Sequence, residues 1–236
     1  SDTGGHVFFA VTAEGAPVQK RRYVFSECFA AIAMAEYAAA SGDCSYAAKA
    51  LDMFRNTLRM LSSPGFLEPK TLVPSRGHSI TMILINVAQV IRQVAPDPVL
   101  DAQIDMSVDE LRRYFMHPEF GTILETVGPD GEFIDPGHCM ETAWFLLEVA
   151  RTRGWDAQLI EMAVTIIDWA WKWGWDEPYG GMINFRDCRN FPSQDYSQDM
   201  KFWWPQCETI LATLYAYVAT GDEKYLEMHR RVNDYA

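Results

Sequence analysis

Residues 138–160 read HCMETAWFLLEVARTRGWDAQLI, and two features of this stretch decide the fold. The segment up to Ala150 is apolar on nearly every side, so a helix made from it has to be packed on every side. It then stops at Arg153-Gly154-Trp155-Asp156, where a glycine suits the left-handed end of one helix and an aspartate can cap the next. A joint this short makes an antiparallel helical hairpin.

The same punctuation recurs at Ser41-Gly42-Asp43 and Thr220-Gly221-Asp222, and Pro96-Asp97-Pro98 does the job with proline at the helix start. Periodicity predicts helices at about 24–41, 44–63, 76–95, 97–116, 138–153, 156–173, 203–220 and 222–235, which is four hairpins. First helices are apolar nearly all round, as in FAAIAMAEYAAA and ITMILINVAQVI, whereas second helices such as LDMFRNTLRML carry more charge. First helices are therefore expected to form an inner layer and second helices an outer one. The expected fold is all-α, a toroid of helical hairpins, with residues 1–236 forming one domain. The longer connections hold strand-like pieces: one alternates around Glu14-Gly15, another (TILETVGPDGEFI) around Pro129-Asp130-Gly131, and GGMINFRD is a third.

Bulk numbers narrow the function. A net charge of −12 argues against nucleic-acid or anionic-membrane partners, both of which need a basic face. No run approaches the ~20 apolar residues of a membrane span. The five cysteines are odd in number and lack C-x-x-C spacing, which suits reduced thiols of a cytoplasmic protein and offers no zinc site. Eight tryptophans exceed what a plain helical scaffold needs; they suit a binding cavity, a large core, or both.

The starts of the first helices carry the chemistry. They read FSECF (25–29), SRGHS (75–79), PGHCMET (136–142) and KFWWPQCE (201–208). Each sets polar groups ahead of an apolar body: Glu27; Arg76 and His78; His138 and Glu141; Lys201, Gln206 and Glu208. Trp203, Trp204 and Trp144 would add flat apolar walls, a combination that suits sugars. Singly, Glu27 and Glu208 could be dipole partners of their own helices, His78 a residue bonded to nearby backbone, and the tryptophans core. His6 has no partner readable from the sequence.

These blocks carry a resemblance. DPGHCMETAWFLL is similar to the NPGH-x-x-E-x-x-W-F-L-L motif of the N-acylglucosamine 2-epimerase family, and FSECF and MKFWWPQCE resemble two further family blocks in the expected order. The likeness is greatest to the N-acetylglucosamine 2-epimerase (renin-binding protein) branch. It implies an (α/α)6 barrel and a sugar 2-epimerase that interconverts N-acylglucosamine and N-acylmannosamine. His138 would move the C2 proton, Glu141 would orient its imidazole, and Glu27, Arg76, His78, Lys201, Trp203, Trp204, Gln206 and Glu208 would contact the sugar. No metal or redox cofactor is called for; ATP or another nucleotide could bind as an allosteric effector, although no phosphate loop is present. Asp135 replaces the family's Asn or His, a change expected to matter little in a loop.

Six hairpins close the family's ring, whereas four are counted here, and the chain opens SDTGGHVFF without a methionine. It is therefore expected to be a central fragment, with the second catalytic histidine and a sugar-binding arginine lying outside it. Apolar edges around Phe29 and Met34, and around Leu211 and Tyr215, would then need the missing hairpins or a second copy, as in a homodimer. Three alternatives stay open: an aldose–ketose isomerase or cellobiose-type epimerase of the same superfamily, and a non-catalytic sugar- or protein-binding domain.

Overall fold

The computed structural model describes residues 6–20, 24–64, 66, 76–128, 133–192 and 195–236. The described residues form α1 (Phe25–Ser41), α2 (Cys44–Leu61), α3 (His78–Arg92), α4 (Pro98–Glu110), α5 (Pro136–Thr152), α6 (Ala157–Gly174), α7 (Trp203–Thr220) and α8 (Glu223–Tyr235). Four joints behave as their residues dictate. Gly42, Gly154 and Gly221 take φ of 75°, 75° and 69°, and Asp43, Asp156 and Asp222 accept from the backbone amides of Ser45, Gln158 and Lys224. Asp97 does the same for Val99 ahead of α4. Most helices differ from the expected bounds by a residue or more, and α3 and α4 differ through a change of structure. Residues 76 and 77 are strand, so α3 starts at His78, and α4 gives way to a π-helical turn at Leu111–Phe115.

Contacts sort the chain into two compact units, Ser1–Leu72 with Ile83–Val108, and Val73–Met82 with Asp109–Ala236. In the first, α1 packs on α2, and Arg92 of α3 donates to Asp101 of α4 at 2.6 Å. In the second, α5 packs on both α6 and α7, and α7 packs on α8. Helix α5 is buried along most of its length, as an inner helix should be. Helix α7 is apolar all round but buries only one face, leaving Leu211, Leu214 and Val218 exposed; Phe29 on α1 is exposed too. Of the four residues expected at uncovered edges, Phe29 and Leu211 are exposed, whereas Met34 and Tyr215 are half-buried. Among the described residues no helix is long and apolar enough to cross a membrane.

The short strands are β1 (Ala10–Val11), β2 (Pro17–Gln19), β3 (Arg76–Gly77), β4 (Met116–His117), β5 (Thr122–Ile123), β6 (Thr126–Val127), β7 (Phe133–Ile134) and β8 (Arg186–Asp187). β1 and β2 form the expected hairpin, with Gly15 at φ 87°. TILETVGPDGEFI does not form one; its turn at 129–131 lies outside the described residues, and its three strands take three different partners. β5 pairs with β4, β6 with β3 and β7 with β8. Two-residue strands gain little from a hairpin of their own, and here β5 and β6 pair with backbone bordering a helical segment, whereas β7 pairs with β8 in the α6–α7 connection. Between β5 and β6 the backbone of Glu125 is fixed at both ends: its carbonyl accepts from His78 N (2.9 Å) and its amide donates to Phe133 O (2.8 Å). This places Glu125 between the starts of α3 and α5.

Candidate active site

Helix α5 begins two residues earlier than the sequence suggests, because Pro136 supplies a ready-made first helical φ and Asp135 caps it. Asp135 is thus no bystander. Its Oδ1 accepts from His138 N at 3.1 Å, its Oδ2 lies 3.2 Å from His138 Nδ1, and its side chain is buried. Glu125 Oε2 sits 3.0 Å from the same ring nitrogen. The imidazole is therefore gripped through Nδ1 by two carboxyls. Neither of them is Glu141, the residue expected to orient it.

Glu125 also reaches a second histidine. His78, fully buried, has Nδ1 3.3 Å from the same Oε2 and Nε2 2.9 Å from Thr142 Oγ1. The two rings lie 6.5 Å apart, centroid to centroid. Sequence reasoning missed Glu125 and Thr142. The one signal for Glu125 is an acidic residue following two apolar ones, Ile123 and Leu124, both of which are buried.

Burial would raise Glu125, but the cations of His138 and His78 hold it down at about 2. Burial pushes Asp135 up to about 7 in spite of His138 beside it. For His138, burial disfavours the charge, yet Asp135 and Glu125 outweigh it and raise the imidazole to about 10.

From His138 to Glu148, the α5 positions that are not fully buried are His138, Glu141, Trp144 and Glu148, a stripe at helical spacing. Helix α7 adds Trp204 and Glu208, also half-buried and one turn apart. Trp204 lies 5.2 Å from the His138 ring, and Trp144 Nε1 donates to Glu208 Oε2 at 2.7 Å. The close approach of Trp204 depends on Gly137, since a Cβ there would come within 2.5 Å of the indole. Burial, followed by the neighbouring Glu208, raises Glu141 to about 8. Burial also raises Glu208, against the Trp144 hydrogen bond. Two carboxyls, two indoles and one tethered imidazole thus share a partly open face.

Other residues expected at the sugar have different commitments. Gln206 Oε1 accepts from Met182 N (2.7 Å) and its Nε2 donates to Met182 O (2.8 Å), so its amide satisfies buried backbone. Lys201 Nζ pairs with Asp176 at 2.6 Å. Arg76 pairs with Glu110 at 3.1 Å and lies over the Tyr114 ring. Trp203 is 77% exposed, because neighbours on a helix point in different directions and Trp204 takes the inward one. Glu27 belongs to the first unit. It is buried there, accepting from Val7 N at 2.9 Å and lying 3.4 Å from His6 Nδ1, the partner the sequence did not reveal.

Glu125, Asp135 and His138 offer ligand atoms within 4.8 Å of one another, a spacing that a cation could bridge. Protons account for the same distances: 3.0 and 3.2 Å are the separations of N–H···O contacts sharing one Nδ1–H.

A match to the N-acylglucosamine 2-epimerase (GlcNAc 2-epimerase) family runs over residues 1–236. The chain belongs to this family. It is 29% identical over 242 residues to the N-acylglucosamine 2-epimerase of Bos taurus, covering 96% of this chain and 57% of that protein. Against the N-acylglucosamine 2-epimerase of Homo sapiens the figures are 27% over 241 residues, 96% and 56%. The chain thus spans a little over half the length of these relatives. The solved cellobiose 2-epimerase of Bacillus thermoamylovorans superposes with a TM-score of 0.83 at 16% identity, over 98% of this chain and 63% of that one. That likeness is one of fold, the α/α-barrel type of helical hairpins expected from the sequence.

Proposed function

We propose that the protein to which this chain belongs epimerises a reducing amino sugar at C2, interconverting N-acylglucosamine and N-acylmannosamine. In the open-chain sugar the aldehyde acidifies the C2 proton; a base removes it, and a proton returned to the opposite face inverts the centre. Only protons move, so the step needs neither a redox cofactor nor a metal. His138 is the group we assign to one face. Its Nδ1 is committed to Glu125 and Asp135, which leaves Nε2 as the atom that exchanges a proton with C2. Held as an imidazolium at neutral pH, it donates in one direction, and its deprotonated form is the base in the other. Glu141, raised to about 8, keeps its proton near neutrality and can donate to the oxyanion that develops at C1. Trp204 and Trp144 suit the apolar faces of the sugar.

The observation that carries this proposal is the carboxylate-tethered His138 beside Trp204 in a chain of this family. The five free cysteines support a reducing, cytoplasmic setting. The test is incubation of the full-length protein with N-acetylmannosamine in deuterated water. The expected product is N-acetylglucosamine bearing deuterium at C2. A ketose product with label at C1 would instead favour an aldose–ketose isomerase, and turnover of cellobiose alone would favour a cellobiose-type epimerase.

A further inference from the structure

Asp135 divides its carboxyl between two tasks. Its Oδ1 accepts from His138 N at 3.1 Å and so caps α5, while its Oδ2 lies 3.2 Å from His138 Nδ1. The cap anchors the carboxyl, and the side chain is buried, so Oδ2 stays against the ring. Nδ1 therefore has two carboxyl oxygens before it, Glu125 Oε2 at 3.0 Å from the β5–β6 connection and Asp135 Oδ2 from the residue ahead of α5. Glu125 alone would suffice to accept from Nδ1–H. What Asp135 adds is a second negative charge against the same ring, in a place shielded from water. Burial pushes Asp135 up to about 7, whereas His138 is raised to about 10. Asp135 is thus an anion throughout the range in which His138 gives up its proton.

We propose that Asp135 is a positioning residue that sets the alkaline limit of the reaction: as the second carboxyl on Nδ1, it keeps His138 an imidazolium to higher pH than Glu125 alone would. Above that limit the ring has no proton to return to C2. Capping by itself asks only for an acceptor to the His138 amide, which asparagine or serine supplies as well. An aspartate supplies that acceptor and also an anion facing Nδ1. The other groups that face His138 are Glu141 on α5, Glu208 and the Trp204 ring from α7, and the His78 ring 6.5 Å away on α3. None of them is altered in the variants that test the role of Asp135.

The inference rests on His138 being the acid–base group, and the test separates the two. Asp135→Asn and Asp135→Ser keep a cap for α5 and remove the anion. In the full-length protein, histidine ¹⁵N NMR should show the His138 titration lower by about one unit or more in both variants. The fall should be larger for asparagine, because an asparagine that caps through Oδ1 turns its NH₂ group toward Nδ1. The alkaline limb of the C2 exchange rate should move down with the titration, at unchanged KM. A His138 titration unmoved in folded Asp135→Asn and Asp135→Ser would reduce Asp135 to a helix cap and overturns the proposal. A lowered titration with an unshifted rate limb upholds the hold of Asp135 on His138 and counts instead against His138 as the acid–base group.

Discussion

Gly137→Ala adds one methyl group where α5 meets Trp204 and Pro205 of α7. The new Cβ would lie 2.5 Å and 2.6 Å from Trp204 Cζ3 and Cη2 and 3.1 Å from Pro205 Cβ. Ordinary van der Waals contact begins near 3.4 Å, so the indole has to retreat by about 1 Å, and overpacking of this kind costs about 1–3 kcal/mol. Helix propensity acts in the opposite direction, since alanine is a better helix former than glycine, by up to about 1 kcal/mol in a helix interior and by less in the first turn where Gly137 lies. The sign of the stability change therefore reports on packing. A misplacement of about 1 Å at a reacting centre can cost about 10²-fold in rate. The indole is 5.2 Å from the His138 ring, so turnover should fall by at least about tenfold. Thermal unfolding and C2 exchange on the same preparation measure both. An alanine variant that is more stable than wild type and fully active would refute the placement of Trp204 against Gly137.

Glu125→Gln removes the anion that both histidines face, and C2 exchange should fall by about 10²-fold with sugar binding retained, as shown by turnover and ligand titration. Gln206→Ala orphans the amide and carbonyl of Met182 and should cost about 1–3 kcal/mol for each buried group while leaving KM unchanged, which denaturant unfolding and kinetics would check. The pH dependence of stability should have two arms. Glu125 is held down at about 2 from 4.5, so its contribution is present above pH 4.5 and lost as pH falls toward 2. His138 is raised from 6.5 to about 10, so its contribution is complete below pH 6.5 and lost as pH rises toward 10. Denaturant unfolding at fixed pH values should show both arms, and Glu125→Gln should flatten the acid one.

How far the sequence reveals this molecule depends on how local each decision is. Gly42-Asp43, Gly154 to Asp156 and Gly221-Asp222 are legible because a left-handed turn and a cap are settled within a few residues. His138, Glu141 and Trp144 are legible as a stripe because helical spacing alone puts them on one face. Glu125 is not, since its place depends on β3 and β8, both distant in the chain, pairing with β6 and β7. Nor could the sequence separate Gln206 and Lys201 from the site. A polar residue at a helix start looks the same whether its partner is a sugar, the Met182 backbone or Asp176. Trp203 and Trp204 differ only by one step around a helix whose inward side the sequence leaves undetermined.

The most direct test is deuterium incorporation at C2 of N-acetylglucosamine by the His138→Gln variant of the full-length protein. His138, tethered through Nδ1 to Glu125 and Asp135, is expected to carry the proton transfer. Exchange should therefore drop by about 10²–10⁴-fold while sugar affinity stays within a few-fold of wild type. Exchange at the wild-type rate in a folded His138→Gln protein would show that another group moves the C2 proton.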